Sequence, residues 1–282
     1  GPDIIFFWVA RMIITGFEFK DEAPFKDVYF TSILRDETGK KLSKSLGNSP
    51  DPFDLFDEYG TDAVRFGTML MAPQGLDVLF SKKRLEVGRN FMNKLWNACR
   101  FIQLNLGEEW DSEFQLDYEN TDLELPERWI ISRLSNMIQE YNNQLDRFHF
   151  NEAAKDLYEF TWNDLCDWYL EIAKNRFYGQ DKPKANIARF VAIECIRTVL
   201  TLLHPYAPFI TEELWSHFKP DGSPDLIIIP WIKNGSIRDK SAEDNMDILK
   251  EVITSIRSIR SRMNVAPSTR CDLVVRCNED QR

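Results

Sequence analysis

Histidine is scarce in this sequence, and its cysteines form none of the close pairs that hold metals. The chain of 282 residues has three histidines and five cysteines, with no C-x-x-C pair and no histidine at ligand spacing from another. These absences exclude a zinc knuckle, and the odd number of cysteines does not fit a disulfide framework. We therefore expect reduced, buried thiols and predict no metal site. The residues concerned are His149, His204, His217, Cys99, Cys166, Cys195, Cys271 and Cys277.

Long apolar runs are also missing. No stretch of about 18 consecutive apolar residues occurs, so no membrane span is predicted. The apolar residues from Ile4 to Ala10 follow no basic segment and are interrupted by Arg11, which is unlike a signal peptide and fits an amphipathic buried helix better. A cytoplasmic protein is expected. Because the chain opens on Gly1-Pro2 without a methionine, we also expect a piece of a longer protein.

Helical periodicity dominates the sequence beyond residue 75. Apolar residues recur there at the spacing of one helix face, with prolines at first-turn positions, which predicts a bundle of amphipathic helices. Two short helices separated at Gly60 are predicted before it, and segments 108–124 and 219–241 are predicted to be surface connections. Strands are predicted at 28–34 and at 271–275. The long helices are predicted at residues 81–106, 126–146, 150–178, 183–204, 208–218 and 243–264.

A short segment rich in lysine and serine follows the first predicted strand. Residues 40–48 contain three lysines, two serines and a glycine, directly after a turn sequence at residues 36–39. Lysine ammonium groups act as movable point charges, so such a loop suits a triphosphate on which negative charge grows during nucleotidyl transfer. Composition alone favours a solvated basic turn, since the segment lacks the glycines of a Walker-type loop.

The order of residues in this segment favours the nucleotide hypothesis. Residues 41–48, K-L-S-K-S-L-G-N, resemble the Lys-Met-Ser-Lys-Ser loop of class I aminoacyl-tRNA synthetases, with Leu42 as an apolar anchor in place of methionine. The resemblance implies that Lys41 and Lys44 are catalytic and stabilise the pyrophosphate as ATP reacts with the amino acid. It also implies that Lys41, Ser43, Lys44 and Ser45 bind ATP, which is expected to carry Mg²⁺.

Other segments resemble the same family. Residues 3–12, D-I-I-F-F-W-V-A-R-M, are similar to the segment of valyl-tRNA synthetases that lines the valine pocket, which implies that Asp3, Ile4 and Trp8 face valine. For Trp8 the alternative is plain core packing, because aromatic faces of helices are usually buried. The last similarities are to the anticodon-binding bundle of the valine, isoleucine and leucine enzymes, at residues 167–171 and 203–215, and specifically to valyl enzymes, at residues 256–265.

The resemblance covers essentially the whole chain and implies a mainly α fold. It implies an anticodon-binding helix bundle, preceded by the C-terminal remnant of a class I Rossmann-type catalytic domain and a small connector, and followed by the start of a C-terminal α/β junction. The expected boundaries are 1–50 for the catalytic remnant, 51–80 for the connector, 81–238 for the bundle and 239–282 for the junction.

The first long helix carries a basic face. The net charge of −10 argues against nucleic acid unless the cations are clustered, and on a helical wheel they are, with Phe101 beside them as an exposed ring for an RNA base. The alternative is a solvated face whose Phe101 packs against a neighbouring helix. The resemblance favours tRNA binding. The predicted tRNA-binding residues are Lys82, Lys83, Arg89, Asn90, Lys94, Asn97, Arg100 and Phe101, and a second basic face is expected at Lys250, Arg257, Arg260 and Arg262.

By this resemblance the chain is part of an enzyme that activates valine with ATP and transfers it to tRNA(Val), acting as a monomer. The His-rich ATP loop and the editing domain of that family are not among these residues, so the isolated chain is predicted to be inactive. Two alternatives stay open. One is a stand-alone tRNA-binding or scaffold module without catalysis, and the other is the isoleucyl or leucyl sibling.

Overall fold

The computed structural model describes residues 1–72, 75–107, 116, 118, 121–235, 237–266 and 268–274, and within them the chain is mainly α-helical. Shorter helical turns occur at Pro2–Ile4, Lys44–Leu46 and Leu226–Ile228, and wider π-type turns at Ile5–Val9 and Phe160–Tyr169. The helices are α1 (Ala10–Lys20), α2 (Pro52–Tyr59), α3 (Thr61–Met71), α4 (Lys82–Leu104), α5 (Leu125–Asp146), α6 (Phe150–Glu159), α7 (Leu170–Phe177), α8 (Lys182–Leu203), α9 (Pro208–Phe218) and α10 (Lys240–Arg262).

Local sequence explains where several of these helices begin. The Asp51 carboxylate accepts a hydrogen bond from the backbone N–H of Phe53 at the start of α2. Asp181 and Asp239 cap α8 and α10 in the same manner, and such caps satisfy N–H groups that have no partner inside the helix. The predicted mainly α fold is confirmed, and α9 has the predicted bounds. The predicted helix at 150–178 is α6 and α7, continuous through the π-type turns.

The core of the bundle contains two large phenol side chains whose hydroxyl groups are hydrogen-bonded. Tyr141 is fully buried and its hydroxyl donates to the carbonyl of Leu202 at 2.7 Å. Tyr169, also buried, donates to the carbonyl of Ala188 at 3.1 Å. Both phenols therefore add apolar contact area to α8 without leaving a buried donor unpaired.

A buried ion pair ties three helices of the bundle together. Glu127 of α5 is 1% exposed and contacts the guanidinium of Arg176 on α7. Arg176 also reaches Glu124 at 2.5 Å, and Glu124 in turn contacts Lys184 of α8 at 2.6 Å. Because the Glu127 carboxylate is out of water, removing Arg176 would leave an uncompensated buried charge.

Helix α3 is anchored directly to the bundle. The Asp62 carboxylate accepts a hydrogen bond of 2.6 Å from the backbone N–H of Ile210 in the first turn of α9. The Arg65 guanidinium donates to the carbonyls of Pro205 and Tyr206 at 3.0 and 3.1 Å. These bonds fix the short helices relative to the bundle. The short helices follow the segment at residues 40–48, called the lysine loop below.

Helix α10 packs against α5 through polar contacts. Glu243 is buried and accepts hydrogen bonds from Ser132 at 2.5 Å and from Asn136 at 2.6 Å. Arg128 and Asp239 form an ion pair of 2.6 Å at the start of the same helix. The N-terminal half of α10 is therefore held on the bundle.

The N-terminal segment is helical, as predicted, but the expectation that it is buried is wrong. None of the residues from 2 to 20 is buried, and Phe6 is 83% exposed. Helical hydrogen bonds are local, whereas burial needs a second surface, and an apolar pattern cannot show whether that surface is present.

Both strand predictions are largely wrong. Of residues 28–34, Leu34 alone lies in a strand, β1 (Leu34–Arg35), which pairs in parallel with β2 (Val78–Leu79). Residues 271–274 have no regular structure, and Val275 lies outside the described residues. An apolar run becomes a strand only where a neighbour supplies hydrogen bonds, and that neighbour lies elsewhere in the sequence.

The cysteines follow the expectation in part. Cys99, Cys166 and Cys195 are free and buried, whereas Cys271 is exposed, contrary to the prediction, because it lies after the last helix in residues 268–274, all of which are exposed. Cys277 lies outside the described residues. Within the described part of the chain, no helix is both long and apolar enough to cross a membrane.

Candidate active-site loop and nucleic-acid interface

The lysine loop is built as an extension of β1. The chain turns at Gly39, whose φ of +84° is in the left-handed region, and Lys41 then forms an antiparallel bridge with Arg35. The backbone N–H of Leu42 donates to the carbonyl of Leu34 at 3.0 Å. Gly47, with φ +68°, closes the helical turn Lys44–Leu46 in a conformation that a side chain would disfavour. The backbone thus presents both lysines from one compact loop.

The predicted ATP-binding residues lie together in this loop. Lys41 and Lys44 are exposed, and the hydroxyls of Ser43 and Ser45 are 2.8 Å apart. The Lys41 ammonium lies 3.3 Å from the Asp3 carboxylate and lowers the pKa of that carboxyl. The structure therefore brings one residue predicted to contact valine into contact with one predicted to contact ATP.

The other two predicted valine residues do not join this cluster. Ile4 and Trp8 are 42% and 56% exposed. The alternative of core packing for Trp8 is wrong, because no residue of its helical segment is buried. Both side chains are open to solvent, as are Phe6 and Phe7 between them, and their role in binding valine remains a prediction.

The predicted basic face of α4 is exposed over most of its length. Six of its members are exposed, namely Lys82, Lys83, Arg89, Asn90, Asn97 and Arg100. Lys82 is paired with Glu58 at 2.8 Å. Lys94 is half-buried, contacts Asp167 at 2.5 Å and lies 5.0 Å from the Trp162 ring centroid. Positive charge is therefore least neutralised by neighbours at Lys83 and Arg100.

The expectation that Phe101 is an exposed ring is wrong. Its side chain is partly buried against the core, with its ring centroid 5.8 Å from that of Phe177 on α7. The Lys174 ammonium lies 5.5 Å from the same ring. The alternative, packing against a neighbouring helix, describes the structure, because the chain returns in α7 beside the end of α4.

This packing gives an expected result for Phe101→Ala. The variant should lower the free energy of unfolding by about 1 to 3 kcal/mol, because truncating a partly buried ring removes contact area and its aromatic pair. Urea denaturation followed by tryptophan fluorescence measures the change. Unaltered unfolding together with a loss of tRNA affinity would instead make Phe101 a stacking surface for RNA.

A groove beside the basic face contains two aromatic side chains that the sequence reasoning did not select. It has a volume of about 490 Å³ and lies between the α2–α3 turn, α4 and the start of α9. Arg89, Asn93, Trp96 and Phe209 line it, and both rings are exposed. Trp96 could have been selected from the sequence, because it follows Arg89 by two helical turns and so lies on the same side of α4. Phe209 could not, because it reaches the groove from another helix. One cation, one amide and two exposed rings together suit an unstacked nucleotide, although Asp62 and Glu213 also line the groove.

The second predicted basic face, on α10, is not a continuous charged surface. The Lys250 ammonium lies 4.0 Å from the Trp129 ring centroid and donates to Asp164 at 3.3 Å. Arg257 lies over Trp168 at 5.7 Å. Lys250 therefore helps to dock α10 on the bundle, and the expected basic face is interrupted at that position.

Metal ligands are not clustered in the part of the chain that the structure describes. Within it, no group of three histidine, cysteine, aspartate or glutamate residues could hold a metal ion.

Two family models match the chain. The model described as the anticodon-binding domain of tRNA ligase matches residues 127–275, which include α5 to α10. The model described as tRNA synthetases class I (I, L, M and V) matches residues 1–81, which include the lysine loop.

Full-length relatives match nearly the whole chain. Proteins named valine-tRNA ligase from Fusobacterium nucleatum, Syntrophotalea carbinolica and Bacillus cereus are 45%, 42% and 38% identical to it. The matches cover 98%, 98% and 99% of this chain but 31% of each relative. The chain thus spans about a third of the length of these proteins.

Solved structures share the fold. The LeuRS of Agrobacterium radiobacter K84, in a ternary complex with tRNA and LeuAMS, has a TM-score of 0.60 at 22% identity, over 83% of this chain and 27% of that protein. The Mycobacterium tuberculosis methionyl-tRNA synthetase, in complex with methionyl-adenylate, has a TM-score of 0.61 at 20% identity, over 76% of this chain and 42% of that one. The chain therefore shares its fold with these two structures.

Proposed function

Since this chain belongs to the anticodon-binding-domain family of tRNA ligases, we propose that it is part of a valine-tRNA ligase. In this role it supplies the lysine loop that acts on ATP and the bundle that binds tRNA(Val). The observation that supports the proposal most strongly is the pairing of two features in one chain. Lys41 of the loop at residues 41–48 lies 3.3 Å from Asp3, and helix α3, which follows the loop, is hydrogen-bonded to the helix bundle.

The chemistry proposed for the loop is stabilisation of growing negative charge. Valine activation transfers AMP from ATP to the valine carboxylate, and pyrophosphate leaves. Lys41 and Lys44 are exposed, so their ammonium groups can reach the β- and γ-phosphates of ATP, whose remaining negative charge Mg²⁺ would share. The hydroxyls of Ser43 and Ser45 lie beside them as donors. Electrostatic contacts that strengthen as the P–O bond breaks raise the rate more than they raise substrate affinity.

Valine is proposed to bind near Asp3. The Asp3 carboxylate accepts a hydrogen bond from the Lys41 ammonium in this structure. The ammonium group of valine has the same charge and the same kind of donors, so the Asp3 carboxylate can accept from it too. Ile4 and Trp8 are proposed to contribute apolar contacts to the valine side chain.

The tRNA is proposed to lie along the exposed face of α4. Lys83, Arg89 and Arg100 would contact phosphates, and the groove beside Trp96 would take an unstacked base. This placement agrees with the cluster of cations on an otherwise acidic chain.

The remaining proposals concern organisation. We propose that residues 1–50 belong to the catalytic domain, 51–80 to the connector, 81–238 to the bundle and 239–282 to a junction, in a monomeric cytoplasmic enzyme. The chain alone is proposed to be inactive, because it spans about a third of its relatives and would lack much of the geometry around ATP.

Aminoacylation specificity tests the proposed function. We expect the full-length protein that carries this chain to charge tRNA(Val) with valine and to discriminate against isoleucine and leucine. A single methylene changes the binding free energy by only about 1 to 3 kcal/mol. Discrimination against isoleucine therefore requires a pocket that is too small for its larger side chain. The measurement is charging of each cognate tRNA with each labelled amino acid. Charging with leucine or isoleucine alone would assign a sibling enzyme, and tRNA binding without charging would support the stand-alone module.

A further inference from the structure

Asp36, a half-buried turn residue directly after β1, accepts four hydrogen bonds. One carboxylate oxygen, Oδ1, accepts from the backbone N–H and the hydroxyl of Thr38 at 2.9 and 2.7 Å and from the backbone N–H of Lys40 at 2.9 Å. The other, Oδ2, accepts from the side-chain amide of Asn48 at 2.7 Å. The carboxylate thus joins the turn before the lysines to the residue after them.

Asn48 completes the connection from the other side. Its amide oxygen accepts a hydrogen bond from the backbone N–H of Ser43 at 2.9 Å. Its amide nitrogen donates to Asp36 and also to the carbonyl of Lys41 at 3.3 Å. Every polar atom of the Asn48 side chain is therefore bonded to a group that lies at the boundary of, or inside, the lysine loop.

The bonds to Asp36 favour its charged form. Hydrogen bonds from Thr38, and after it from Asn48, lower the pKa of Asp36 to about 2. The carboxylate is consequently ionised at neutral pH and makes charge-assisted bonds, which are roughly twice as strong as neutral ones. Asp36 is an anion, and the Asn48 amide nitrogen already donates to Asp36 and to the Lys41 carbonyl, so neither side chain offers a free donor to the triphosphate.

We propose that Asp36 and Asn48 form a clamp that positions Lys41 and Lys44 for ATP, without contacting ATP themselves. This inference rests on the proposed function, since it assigns the role of the clamp to that same loop. The loop must be mobile enough to close on the nucleotide and still present both ammonium groups at fixed positions. By closing the base of the loop across Asp36 and Asn48, the clamp leaves the segment between Lys44 and Gly47 free to move.

Exchanging the two residues tests the clamp, because the pair is chemically reciprocal. In Asp36→Asn two side-chain amides place N–H groups against each other, and in Asn48→Asp two carboxylates meet. In the double variant, Asn at 36 donates to Asp at 48 and still accepts from Thr38 and Lys40, and Asp at 48 still accepts from Ser43. The longer bond of 3.3 Å from residue 48 to the Lys41 carbonyl is lost in Asn48→Asp and in the double variant alike, because a carboxylate cannot donate. Glu37→Gln, an exposed carboxylate in the same turn, is the matched control for lost charge.

Two readouts are needed, both on the full-length protein. In valine-dependent ATP–pyrophosphate exchange, each single variant should lower kcat by about tenfold to a hundredfold with less than about a threefold change in the KM for valine. The double variant should return to within about threefold of the unsubstituted protein, and Glu37→Gln should not differ from it. In limited proteolysis, trypsin should cut after Lys40, Lys41 and Lys44 faster in the single variants, and at the original rate in the double variant.

The outcomes separate the clamp from the function on which it rests. If the unsubstituted protein shows no valine-dependent exchange, the proposed function is overturned, and proteolysis still tests whether the two side chains hold the loop. If exchange is normal and the single variants match Glu37→Gln in both readouts, the clamp is overturned. A double variant that stays as impaired as the single variants also overturns the pairing. Unchanged thermal unfolding in all variants is expected, since the clamp lies outside the helical core.

Discussion

Replacing Lys44 by alanine in the full-length protein should lower the rate of valine activation by about a hundredfold to a thousandfold, while valine affinity changes little. The expected size is that of losing one preorganised donor to a transition state that accumulates charge. Lys44 is exposed at the start of the helical turn Lys44–Leu46, between two residues whose hydroxyls face each other, and it has room to move toward a bound triphosphate.

The control for this prediction is Lys40→Ala. Lys40 is an exposed lysine of the same loop, so its removal changes the net charge equally, while its backbone bond to Asp36 is kept. Pre-steady-state formation of the adenylate measures the rate, and equilibrium dialysis measures valine binding. Equal rates for the Lys40 and Lys44 variants would remove Lys44 from the chemistry. A matching loss of valine affinity would mean that the contact forms already in the ground state.

The double substitution Lys83→Ala/Arg100→Ala should weaken tRNA(Val) binding about tenfold or more at physiological salt. It should also make the slope of log affinity against log salt concentration shallower by about one to two units. Binding releases counterions at each phosphate that the protein contacts, and the variant contacts fewer phosphates. These two residues are exposed near opposite ends of the α4 face, where neighbouring carboxylates neutralise little charge. They are about 25 Å apart along the helix, from the rise of about 1.5 Å per residue.

A matched pair of substitutions separates this contact from a general change in charge. Arg147 and Lys233 are exposed and lie at the end of α5 and in the segment before α10, away from α4. Arg147→Ala/Lys233→Ala should leave both the affinity and the salt slope unchanged. Filter binding between about 50 and 200 mM salt measures both. If the two double variants weaken binding equally, the α4 face is not the phosphate-contacting surface.

The helices and the loop were predictable because their signals are local. The apolar repeat places α4 to α10 to within a few residues, and caps such as Asp181 explain where helices begin. The lysine loop likewise could be identified from consecutive residues, and the structure brings its lysines and serines together. For these features sequence spacing and three-dimensional spacing carry the same information.

The failed predictions concern contacts between distant segments. A helical wheel gives the direction of Phe101 from its own axis but cannot show that Phe177 of α7 covers it. Lys250 belongs to a charged pattern on α10, yet Asp164 and two tryptophans surround its ammonium. The predicted strand at 28–34 failed for the same reason, since its pairing depends on Val78 and its neighbour. The bond between Asp36 and Asn48 could not be predicted either, although Asn48 stands in the segment at residues 41–48 and Asp36 in the turn before it.

The most direct test of the account is ATP–pyrophosphate exchange by the full-length protein and by this 282-residue chain, measured side by side with and without valine. The account predicts exchange that requires valine in the full-length protein and none above background in the chain alone. Valine-dependent exchange by the chain alone, or a full-length protein that exchanges with another amino acid and not with valine, would contradict it.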